Sequence, residues 1–207
     1  MIHTKEKIIL ASGSSTRKML LEGAGIDFKI VKSELDEDSL KEEFIQEHGK
    51  VDPLRLGVKL AIAKAKEVSA KYPDAYVIGA DQVCFLGGPS GGEIFDKPGT
   101  LENCVKHLQK LRNKEHSQNC SCCIVKNSEV LWEYSEQALL KIKNLSDEEI
   151  KIYVNEEKPT FACGSYMLEN NGKHLFEYIK GDHDVVLGLP LIPLLNELHR
   201  IGVIGFN

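Results

Sequence analysis

The sequence predicts an α/β fold, and three observations carry that expectation. Short apolar runs such as "KIILA" and "AYVIGADQVCFL" read as buried strands. Stretches with apolar residues three and four positions apart read as amphipathic helices, and the two kinds alternate along the chain. At 207 residues there is enough chain to bury a full core, as one large domain or as two lobes on a common sheet.

Residues 7 to 11 form the first strand and 16 to 24 a helix, with Gly25 as its C-terminal stop. "DFKIVKSELDE" reads as a second strand running into an acidic turn, and a polar stretch follows. "DPLRLGVKLAIAKAKEVSAKYP" then gives a long helix, with Pro53 near its start and Pro73 beyond its end. Its apolar stripe is Leu54, Val58, Ala61, Ile62, Ala65 and Val68. At about 100° per residue, Lys59 and Lys66 fall opposite that stripe and Lys64 lies at its edge. "AYVIGADQVCFL" is the clearest buried strand, and Asp81 breaks its apolar run. The glycine-rich "GGPSGGEIFDKPG" makes a turn or hairpin leading to Lys97. Thr100 caps the next helix, lined by Leu101, Cys104, Val105, Leu108 and Leu111. Strands near 118 to 126 and 129 to 143 are joined at "KNSE", and "SDEE" at 146 to 149 makes a capping box for a short helix. A strand-rich stretch from 161 to 188 precedes a closing helix at 190 to 201 that Gly202 ends. No repeat or low-complexity linker divides the chain, so residues 1 to 207 read as a single domain and a cut near residue 150 would be arbitrary.

The apolar fraction of 42% and charged fraction of 28% are ordinary for a globular protein. A net charge of -5 argues against a nucleic-acid-coating surface, so a small anionic ligand would need a local basic pocket. No apolar run reaches transmembrane length and "MIHTKEKIILAS" lacks a signal-peptide pattern, which points to the cytoplasm with no membrane partner. The six cysteines show neither the paired spacing of a zinc site nor a secreted disulfide framework, and read as small buried residues.

Four features have the chemistry of one site. "ILASGSSTRKMLLEGAG" packs hydroxyls and the cations Arg17 and Lys18 into a strand-to-helix junction, where unpaired helix amides suit an anion. The "ELDE" turn offers Glu34, Asp36 and Glu37; Asp81 interrupts an apolar strand; Lys97 follows the glycine-rich turn. Phosphate chemistry uses this mixture: cations and amides to hold oxygens, carboxylates for a divalent metal, and one carboxylate to orient or deprotonate water. Serine-rich turns are also common helix caps, and the Walker pattern is absent, which excludes a P-loop protein. Asp81 stands apart, since an ionisable group in such a strand is costly to bury without a partner.

"LASGSSTRKMLL", "ELDE", "LAIAKA", "IGADQVC", "DKP", "CGSYMLE" and "GDHDVVLGLPL" follow the order found in the Maf family of nucleoside triphosphate pyrophosphatases, from about residue 8 to 203. The resemblance implies hydrolysis of a nucleoside triphosphate to the monophosphate and pyrophosphate, with a divalent metal, Mg or Mn. It also implies a mixed twisted sheet flanked by helices, in two lobes around a cleft, similar to inosine triphosphate pyrophosphatases. A homodimer is compatible with it. By the same resemblance Ser12, Ser14, Arg17 and Lys18 bind substrate, lysine standing where the family usually has a second arginine. Asp81 is the catalytic acid, acting as general base or metal holder; Lys64 and Lys97 neutralise phosphate charge; Glu37 is its metal partner. Thr16, Gln82 and Glu169 occupy specificity positions. Members acting on dTTP or UTP usually carry threonine and glutamine at the positions of Gln82 and Glu169, so this pattern resembles the branch preferring 7-methyl-GTP. That branch often has an aromatic residue at the position of Thr16. The family name is also tied to inhibition of septum formation, so a non-catalytic nucleotide-binding regulator of cell division is one alternative. A sugar-phosphate nucleotidyltransferase, whose loop "LASGSSTR" approximates without its central glycine, is another.

Overall fold

The computed structural model describes residues 2–49, 51–88 and 91–206. In chain order its elements are β1 (Ile2–Thr4), β2 (Ile8–Leu10), α1 (Ser15–Gly23), β3 (Lys29–Ile30), α2 (Glu37–His48), α3 (Pro53–Lys71), β4 (Tyr76–Gly88) and β5 (Gly91–Ile94). They continue with α4 (Leu101–Leu111), β6 (Glu115–Lys126), β7 (Glu129–Ile142), α5 (Asp147–Glu157), β8 (Phe176–Lys180), α6 (His183–Val186), α7 (Leu191–Arg200) and β9 (Ile204–Phe206). The main sheet runs β3-β2-β4-β6-β7-β8, with β5 folded back on β4; β1 and β9 form a separate antiparallel pair. β2 is parallel to β3 and β4, and the other pairings are antiparallel, so the sheet is mixed.

One feature of register opens the site. β2 pairs with β4 from Ile8↔Tyr76 as far as Leu10↔Ile78, and β5 takes up β4 again at Phe85↔Ile94. Between these points the edge of β4 has no strand partner among the described residues, so side chains from both faces reach one cleft there. Asp81 and Gln82, adjacent and therefore on opposite faces, both line it.

Helix α3 crosses one face at unusually close range. A Cβ on Gly79 would lie 2.2 Å from the Ala61 carbonyl oxygen, and one on Gly57 would lie 2.7 Å from Ser121 Oγ. Ser121 is the cross-strand partner of Asp81. The missing side chains thus let α3 settle onto β4 and β6 beside the carboxylate. The buried stripe is Leu56, Gly57, Leu60, Ala61, Lys64, Ala65, Val68 and Ser69. Lys64 therefore lies within the stripe and not at its edge, while Leu54, Val58 and Ile62 are only partly buried. The expected phase was rotated because Leu56 and Leu60 bury against Phe44 of α2, a helix that the polar composition concealed.

The acidic turn is in fact the start of α2: Asp36 is its N-cap and accepts from Ser39 N, and Gly49 stops it at φ 65°. A second correction concerns residues 161 to 188. They contain two short 3-10 turns, Cys163–Ser165 and Asn171–Leu175, then β8 and α6, so β8 is the one strand where several were expected. Gly164 and Ser165 both take positive φ, which breaks extended structure despite the apolar residues. The β4–β5 hairpin, the Thr100 cap, the capping box at Ser146 and the final helix all form as read. Pro89 and Ser90 of the glycine-rich turn lie outside the described residues.

Candidate active site

The cleft encloses about 920 Å³ and is lined from both sides of the sheet gap. At its centre the Lys64 ammonium donates to Asp81 Oδ1 at 2.7 Å and pairs with Glu37 Oε2 at 2.8 Å. The Lys64 and Asp81 side chains are each 9% exposed, whereas Glu37 is 38% exposed. Burial of Glu37 would raise its carboxyl pKa, but the Lys64 ammonium, with Lys97 and Lys41 behind it, holds it below its ordinary 4.5.

The strand-to-helix junction forms one wall. Ser14 is the N-cap of α1 and accepts from Arg17 N. Ser12 Oγ accepts from Ser14 N at 3.2 Å and from Arg17 Nη1 at 3.1 Å. Both hydroxyls therefore accept from within the loop and keep a proton to donate to an anion. Arg17, 9% exposed, also donates from Nε to the Gly188 carbonyl at 2.7 Å. Gln82 donates to the carbonyls of Val185 and Val186 at 3.1 and 2.8 Å, so Arg17 and Gln82 fasten the same segment. Thr16 Oγ1 donates to Glu169 Oε1 at 3.3 Å, linking α1 to the opposite lip.

A family sequence model described as Maf-like protein matches residues 7–201. A nucleoside triphosphate pyrophosphatase of Legionella pneumophila strain Philadelphia 1 is 41% identical over 97% of this chain and 96% of its own. The chain belongs to the Maf family. A 7-methyl-GTP pyrophosphatase of Rhizobium johnstonii is 38% identical, covering 96% of this chain and 98% of its own. Among solved structures, a HAM1 protein from Coxiella burnetii aligns with a TM-score of 0.47 at 14% identity, over 94% of this chain and 99% of its own.

In this Maf chain the cleft gathers Ser12, Ser14, Thr16, Arg17, Asp36, Glu37, Lys64, Asp81, Gln82, Lys97 and Glu169, whereas Lys18 and Glu34, the latter exposed beside Lys71, lie outside its lining. Lys18 follows Arg17 by about 100° of helix and points away, pairing with Glu22 at 3.5 Å on the exposed face of α1. Lys18 is thus not brought to the cleft with the other residues expected to bind substrate. Lys97 has no ion-pair partner among the described residues and is exposed on the rim. Sequence reasoning missed Lys41 and Asp96, which meet at 2.5 Å, together with Lys32 and Phe161 on the cleft wall. Lys41 had a signal, since it lies one turn after Glu37; reading it required recognising Asp36, Ser39 and Gly49 as helix start and stop. Of the six cysteines, five are buried and Cys163 is half-buried; all have free thiols.

Proposed function

We propose that this cleft hydrolyses the α–β anhydride bond of a nucleoside triphosphate, releasing pyrophosphate and the nucleoside monophosphate. The observation that carries the reading is the convergence of Asp81 and Glu37 on Lys64 in a cleft that also holds Arg17, Lys97 and a capped helix N-terminus. It agrees with the activity in the names of the relatives. Asp81 accepts the proton of the attacking water while Lys64, bound to its Oδ1, fixes the carboxylate plane. Arg17, Lys97 and the Ser12 and Ser14 hydroxyls receive the phosphate oxygens, and the cations offset charge that grows on the leaving pyrophosphate.

A divalent metal, Mg or Mn, fits the donor set. Glu37 and Asp81 present hard oxygens that already share one cation. Among the described residues no cluster of three His, Cys, Asp or Glu could hold a metal alone, and a metal held by two carboxylates plus substrate oxygens needs none. When bound it would supply Lewis-acid neutralisation of phosphate charge.

For the substrate we favour a modified purine nucleotide such as 7-methyl-GTP. Glu169, placed by its bond to Thr16, retains acceptor capacity for the N1–H and amino group of guanine. Phe161, 60% exposed on the cleft wall, offers an aromatic face where Thr16 has none. No helix is long and apolar enough to cross a membrane among the described residues. On this reading the substrate is a free cytoplasmic nucleotide and no nucleic acid is required.

The deciding assay is pyrophosphate release from canonical, oxidised and methylated nucleoside triphosphates with Mg or Mn, alongside Asp81→Asn. The expected result is metal-dependent turnover that peaks on 7-methyl-GTP and falls by about 10²–10⁴-fold in the variant, with the melting temperature retained. A peak on dTTP or UTP would keep the enzyme and overturn the base preference. Binding without turnover would instead favour a regulatory protein.

A further inference from the structure

We infer that Lys41 and Asp96 form a strap that positions Glu37 and Lys97 across the cleft. The inference rests on the hydrolytic reading for its catalytic consequence, but its physical content is independent. α2 carries Glu37 in its first turn and buries a single side chain, Phe44, against Leu56, Leu60 and Val83. Nearer Glu37 only the partly buried Leu40 joins this core, so little apolar area holds that end and ion pairs carry much of its placement.

Two ion pairs tie that end to other elements, and a third lies within the helix itself. Glu37 meets Lys64 at 2.8 Å, and Lys41 meets Asp96 at 2.5 Å and Asp38 at 3.6 Å. The Lys41 side chain is 17% exposed, which places its bond to Asp96 in a less screened setting than an ordinary surface pair. Its ammonium, despite the cost of burial, is stabilised by Asp96 and also feels Asp81 and Asp38. Asp96 directly precedes Lys97 on the segment between β5 and α4, so the bond ties α2 to the wall that carries the free rim cation. Glu37 and Lys41 are one helical turn apart and face the same side. A drift of α2 would therefore move Glu37 and release the Lys97 segment together. Lys41 and Asp96 are positioning residues; neither needs to touch the substrate.

Amide hydrogen exchange of α2 and steady-state pyrophosphate release test the strap together, using Lys41→Met, Asp96→Ala, the double variant and Lys41→Arg. Each single loss is expected to speed α2 exchange by about five-fold. Each also lowers kcat by about ten-fold with KM little changed, because Glu37 is displaced and not removed. The double variant should be no worse than either single one, and Lys41→Arg should restore both readouts. Should Lys41→Met not fold, Asp96→Ala at an exposed position carries the same two readouts. Unchanged α2 exchange in the single variants would overturn the strap. So would a raised KM confined to Lys41→Met, since that marks a direct phosphate contact. If the wild-type chain hydrolyses no nucleotide, exchange still decides the strap, so the two readings fail separately.

Discussion

Glu37 and Asp81 share one ammonium but differ in exposure, and the difference makes Glu37 the better probe of the site's electrostatics. Its carboxyl is held below 4.5 in the folded chain, opposed by burial and driven by Lys64, Lys97 and Lys41. A depressed folded pKa contributes stability that is fully present above the unfolded value and is lost as pH falls through the folded one. The stability difference between wild type and Glu37→Gln should therefore be flat above pH 4.5 and shrink below it, as denaturant melts at stepped pH will reveal. A difference that shrinks on the alkaline side would contradict the ion pair. At this scale much of the centre was legible in sequence. Asp81 declared itself because a carboxylate interrupted an apolar strand, and Lys64 because helical phase brought it to the apolar side. Asp96 was hidden, since an acid in a glycine-rich loop is ordinary and its partner lies 55 positions away in sequence.

The spacing between α3 and β4 is set by atoms that are absent. Gly79→Ala would drive a Cβ to 2.2 Å from Ala61 O and 2.8 Å from Ala65 Cβ, both fixed on the helix. Helix and strand must then separate, at a cost of about 1–3 kcal/mol for overpacking. Lys64 lies three residues beyond Ala61 on the same helix face, so its 2.7 Å bond to Asp81 lengthens with the gap. The expected outcome is a lower denaturant midpoint together with reduced turnover, whereas Gly87→Ala, whose Cβ meets only Phe85 at 3.5 Å, should change neither. Elements with strong local codes were readable: caps at Thr100 and Ser146 sit where the sequence puts them. α2 was not, because its apolar content is nearly confined to Leu40, Phe44 and Ile45 and the 3.6-residue period is faint. The run from 161 to 188 misled in the opposite sense: its apolar residues bury in the core through turns, and turns leave no period.

The whole molecule packs four apolar cores on one sheet, and three of them reach the cleft, through Leu168 and Val186, through Ala11, and through Leu56 and Val83. Cys84, Leu108, Leu140, Ile150 and Phe176 belong to one core; Leu10, Leu21, Ile78, Leu194 and Leu198 belong to another. Between the first core and the cleft lies a polar layer that no sequence pattern announced. Tyr166 OH accepts from Gln118 Nε2 at 2.7 Å and meets His116 Nε2 at 2.8 Å, and Gln118 and Tyr166 line the cleft. Having accepted from Gln118, the hydroxyl has its proton to give His116, which favours the neutral imidazole. Burial pushes His116 down to about 4 from 6.5, against weaker opposition from the Lys114 backbone and Glu115. Burial also holds Tyr166 well above 10, so its phenol stays protonated throughout. Between pH 6.5 and about 4 the unfolded chain binds a proton that the folded chain refuses, and stability therefore falls as pH falls. The slope is about 1.4 kcal/mol per pH unit from this one group, and the loss totals about 3 kcal/mol across the window. For a chain of this size each kcal/mol moves the melting temperature by about 2–4 °C. His116→Gln keeps an amide near Tyr166 and removes the titration, so its stability should decline less than wild type from pH 6.5 downward. Parallel decline of the two proteins would mean that the imidazole protonates freely in the folded state, and the polar layer would then be open to water from the cleft.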